Sequence, residues 1–142
     1  MLTRTLRSRL AVPLGAALFA TAGCSSSTAP SDPPPISVAG PWVGTVRLPN
    51  AYTASLGLQQ NGSAVSGTMR ISGVMNETPI AGDVSTGGRT MTWRVNRSCE
   101  VWTGTATVDA TGRSMTGPLA IDRTGCQPAQ SSGSGTLSVD RR

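Results

Sequence analysis

From residue 40 to the end, apolar and polar residues alternate with a period of two, and turn-forming dipeptides break the alternation. Only a strand sends successive side chains to opposite faces, so this pattern constrains the fold more than any other feature. In PWVGTVRLP, Trp42, Val46 and Leu48 share one face, with Gly44 between them. Ala54, Leu56 and Leu58 follow on one face of TASLGLQQ, and Val65, Met69 and Ile71 on one face of AVSGTMRI. Asn61-Gly62 separates those two segments and predicts a tight hairpin turn, because both residues tolerate positive φ. A weaker fourth segment, Thr78–Val84, presents Ile80 and Val84.

After Gly87-Gly88, the fifth segment presents Met91, Trp93 and Val95. Residues 100–108 offer Trp102, Ala106 and Val108 on one face, and Val101 with Thr103, Thr105 and Thr107 on the other. The first face is taken as inward, since threonine suits the solvent side of a strand. Met115, Leu119 and Ile121 face inward next, then Leu137 and Val139 in a last strand over Gly135–Asp140. Beyond residue 40 no stretch shows helical spacing. The expected fold is all-β: an antiparallel, eight-stranded up-and-down barrel, whose closure removes exposed strand edges. A two-sheet β-sandwich is the alternative.

The hairpin between residues 100 and 123 fixes its own register. Placing Val108 opposite Met115 sets Ala106 against Gly117, Trp102 against Ile121 and Glu100 against Arg123. Inward residues then meet inward residues, and opposite charges face each other. The same register brings Cys99 and Cys126 together at the open end. A disulfide is expected there, worth about 3.5 kcal/mol by loop entropy.

The N-terminus has a different character. Residues 1–9 are polar and basic, residues 10–20 are apolar, and small residues precede Cys24. That order is the layout of a secretory signal, and the apolar run is shorter than the roughly 20 residues a permanent span needs. Ala22-Gly23-Cys24 resembles the lipobox of bacterial lipoproteins, although Thr21 stands where that motif carries an aliphatic residue. The resemblance implies removal of residues 1–23 and lipidation of Cys24 with palmitate-type chains. The chain would then be anchored to a membrane in the bacterial cell envelope, facing the periplasm or the exterior. Residues 24–39, rich in serine and proline, read as a tether, and residues 40–142 as the one folded domain.

Gly40-Pro41-Trp42 resembles the G-x-W signature of calycin-like barrels, which include lipocalins, avidin-like proteins and small bacterial metalloprotease inhibitors. That resemblance implies a barrel-closing contact of Trp42 with an arginine after the last strand, Arg141 or Arg142. It also offers a protein-binding alternative in which the segment around Ser37–Gly40 projects into a protease cleft.

Composition narrows the chemistry. The chain has no histidine, and all 12 of its basic residues are arginine. Histidine triads, histidine-ligated metals and lysine Schiff bases are therefore excluded. No metal or cofactor is expected, and no enzymatic activity: the seven carboxylates show no catalytic spacing, and the serines have no visible base. The net charge of +5 includes Arg4, Arg7 and Arg9. Without them, nine arginines face seven acids, leaving +2 and no basic cluster for nucleic acid. The expected function is a non-catalytic binding or accessory role for a monomer. Its partner is an envelope protein, or a small apolar ligand in a cavity lined by Trp42, Trp93 and Trp102; the favoured alternative for these three residues is packed core.

Overall fold

The computed structural model describes residues 36–142. Residues 1–23, Cys24 and the first part of the tether lie outside the described residues. Eight strands follow in chain order: β1 (Gly40–Arg47), β2 (Ala51–Asn61), β3 (Ala64–Ile71), β4 (Met75–Val84), β5 (Thr90–Arg97), β6 (Glu100–Val108), β7 (Ser114–Asp122) and β8 (Gly133–Arg141). Each pairs antiparallel with the next, and β8 pairs with β1, so the sheet is a closed up-and-down barrel. The sandwich alternative is thereby set aside.

Alternation places the apolar set inside. Trp42, Val46, Leu56, Met69, Ile80, Met91, Trp93, Trp102, Met115 and Leu137 are all at most 4% exposed and belong to one continuous core. Opposite them, threonine and serine line the wall outside: Thr45 pairs with Thr53 and Ser138, and Thr116 with Thr107 and Ser138. Closure around so narrow a core requires close strand approach. At Gly44 an added Cβ would stand 2.1 Å from the Ser138 carbonyl oxygen, so only glycine fits where β1 meets β8.

The hairpin register read from residues 100–123 is observed, with Trp102 opposite Ile121 and Val108 opposite Met115. Several boundaries differ from the sequence expectation, including that of β8, which runs Gly133–Arg141 and not Gly135–Asp140. The β2–β3 turn is Gly62-Ser63 rather than Asn61-Gly62, because Asn61 still pairs with Ala64. Gly62, at φ 62°, takes the first central position of the turn, where a positive φ is required. Strand β4 begins three residues earlier than expected. A register shift between Met69 and Ile71 brings Met75 opposite Ile71 and buries it. Finally, residues 36–39 belong to the barrel and not to the tether, since Val38 is fully buried in the core.

Candidate functional site

Four places carry the residues of interest: the interior, the two barrel ends and the outer wall. In the interior, Trp42 and Trp102 are fully buried and Trp93 is 3% exposed. Trp42 Nε1 donates to the Val38 carbonyl at 2.8 Å, and Trp102 Nε1 donates to Glu100 Oε2 at 3.1 Å. Trp93 Nε1 has no acceptor among the described residues. Its ring lies against Gly104, its cross-strand partner on β6, where an added Cβ would come within 2.4 Å of the indole. The three rings are thus packed as core, among four buried methionines: Met69, Met75, Met91 and Met115.

At the end where β1 begins, residues 36–39 fold across the barrel. The Ile36 N–H donates to the Gly87 carbonyl at 3.1 Å, and the Val38 N–H to Gln60 Oε1 at 2.8 Å. Arg141, opposite Trp42 in the β1–β8 ladder, places its guanidinium 4.7 Å from the centre of that ring and donates through Nη2 to the Ser37 carbonyl. This is the arginine–tryptophan contact that the calycin resemblance implies, and Arg141 makes it. The projecting segment that a protease-cleft role calls for is not what forms. Residues 36–38 are tied to β2 through Gln60, to the β4–β5 turn through Gly87, to β1 through Trp42 Nε1 and to β8 through Arg141 Nη2.

The opposite end carries the disulfide. Cys99 and Cys126 are bonded, with Cα atoms 4.8 Å apart. Beside them Arg123 Nε donates to Glu100 Oε1 at 2.8 Å, the cross-strand charge pair expected from the sequence. Arg97 also reaches Glu100, at 3.4 Å, across the two-residue turn Ser98-Cys99. That second arginine was missed; the signal was the tightness of the turn, which sets Arg97 directly opposite Glu100. Burial alone would push the Glu100 carboxyl up. The bonds from Arg123 and Trp102, with the charges of Arg123 and Arg97, outweigh it and hold the group below its ordinary value.

On the outer wall, a shallow open groove of about 680 Å³ crosses β4 to β7. Thr92, Arg94, Thr103, Thr105, Pro118 and Ala120 face into it. A second concavity of about 350 Å³ shares Arg94, Thr103 and Ala120 and extends the groove toward Asp122 and Gly133. Sequence reasoning placed the threonines outward but had no signal for the groove, which is lined by residues of four strands. The Nε of Arg94 donates to Asn96 Oδ1 at 2.9 Å, and this is its only hydrogen bond among the described residues. Nor, among the described residues, do three cysteine, aspartate or glutamate side chains gather as a metal-ligating group. Compared with known proteins, the chain matches no family model and no curated sequence.

Proposed function

We propose that this chain is a lipid-anchored protein of the bacterial envelope, and that its barrel is a non-catalytic binding module working through its outer surface. One observation carries the choice of surface: Trp42, Trp93 and Trp102, the residues suited to line an internal ligand cavity, are packed to 3% exposure or less. Aromatic side chains committed to core contacts leave recognition to groups on the outside. The Cys99–Cys126 disulfide supports the compartment, because such bonds persist where the surroundings are oxidising. The protease-inhibitor reading loses support because the segment it needs is held against the barrel end.

The test of the anchored reading is the mass of the mature protein isolated from bacterial membranes. The expected product begins at Cys24 and carries acyl chains, and Cys24→Ala leaves the protein unacylated, with its mass no longer that of a product cleaved before residue 24 and acylated there. A mature N-terminus elsewhere, or one at Cys24 that carries no acyl chain, overturns it.

A further inference from the structure

We infer that the groove across β4–β7 is a binding site for an oligosaccharide. The inference rests on the reading of the outer wall as the recognition surface and gives that surface a ligand class. The groove is open to solvent, so a ligand in it would lie along the wall and not be enclosed. The chemistry of its lining then discriminates among ligands.

A peptide is a poor fit. Peptides that bind sheets do so by pairing with a free strand edge, and the strands under this groove are already paired on both sides in a closed barrel. A bound peptide would have to leave its own N–H and C=O groups to side chains alone. An apolar compound is no better served, since no exposed aromatic or long aliphatic side chain lines the groove. Nucleic acid needs a basic track, and the cation here, Arg94, stands among the carboxylates of Asp83 and Asp122.

What the groove does offer is alternation at short range. Each of Thr92, Thr103 and Thr105 presents a methyl group and a hydroxyl. The Thr92 hydroxyl already donates to the Asp83 carbonyl at 3.4 Å and is left to accept, while those of Thr103 and Thr105 can donate and accept. Pro118, Ala81 and Ala120 add small apolar contacts between them. The guanidinium nitrogens of Arg94 can donate to ring or hydroxyl oxygens, and Asp83 can accept from hydroxyls. A pyranose ring presents the complementary mixture of C–H faces and hydroxyl edges. Thr92 stands opposite Thr105, and Arg94 opposite Thr103, so the polar groups recur along neighbouring strands about 4.8 Å apart. A linear chain of sugars can meet such a row repeatedly.

The experiment is an amide chemical-shift titration of the isotope-labelled full chain, in a non-glycosidic detergent. The probes are chitotetraose and, separately, glycan strands released from bacterial cell wall. Saturable shifts are expected at Asp83, Thr92, Arg94, Thr103 and Thr105 with at least one probe. Thr103→Val, which keeps the shape and removes the hydroxyl, should weaken binding by about 3- to 10-fold. Ala120→Trp should fill the groove and abolish the shifts while the amide spectrum stays dispersed. Should Ala120→Trp disturb the fold, Ala120→Gln serves as the milder block. No saturable shift with either probe at about 10 mM, or shifts that survive a folded block, overturns the site. Either outcome is independent of the anchor, which is decided by the mass at Cys24.

Discussion

Trp42 joins the first and last strands of the barrel. Its indole N–H holds Val38 in place, and its face carries the Arg141 guanidinium. Arg141 also secures Ser37, so one side chain couples β8, β1 and the segment before β1. Arg141→Ala should therefore lower stability by about 1–3 kcal/mol, the sum of a cation–π contact and a charged hydrogen bond. Denaturant unfolding checks this, and Arg141→Lys should recover less than half of the loss, because an ammonium lacks the planar face. An unchanged midpoint in Arg141→Ala would mean that the contact is incidental. Val38 shows why some of this was not legible. It sits in a stretch without periodicity, and its burial follows from the acceptor that Trp42 Nε1 requires.

At the scale of elements, the β5–β6–β7 unit is the most completely specified part. Its register could be read from residues 100–123 because matching inward faces, opposite charges and two cysteines all demanded one alignment. The period-two pattern likewise announced most of the eight strands, with the fourth only weakly marked and the sixth apolar on both faces. It failed where pairing and not pattern decides, as at Gly62-Ser63, where Asn61 continues β2, and at Met75, which a bulge turns inward. The groove was illegible for a related reason: alternation says which side of a strand a threonine occupies but not which residues of other strands line a groove with it. The disulfide closes this unit. Replacing both Cys99 and Cys126 by alanine should cost about 3–4 kcal/mol, most of it through the unfolded chain. Reduction of the native protein should move the urea midpoint by a similar amount. A midpoint indifferent to reduction would assign the bond no part in stability.

For the molecule as a whole, acid is the condition that loosens it. Three carboxylates are held below their ordinary values. For Glu100, burial works the other way but yields to Arg123, Trp102 and Arg97. For Asp109, the Thr111 hydroxyl and the Ser114 and Arg113 N–H groups lower the value to about 2. For Asp122, the Thr124 N–H and hydroxyl do the same. Groups whose folded values are depressed favour the folded state fully above the unfolded values, near 4.5 for Glu100 and 3.8 for the aspartates. That contribution drains away as pH falls toward about 2. Urea midpoints should thus be level between about pH 7 and 5 and fall steadily below that. A midpoint that holds or rises on acidification would contradict the assignment.

The closed ladder also bears on how the barrel assembles. Seven of its eight pairings join strands consecutive in sequence, while the eighth brings Trp42 against Arg141. Hairpins between neighbours can form early and locally, but the β1–β8 seam must wait until nearly the whole chain is ordered. Its two halves are the first and the last strands of the barrel to be made. The barrel consequently cannot close until β8 has been made and delivered back to β1.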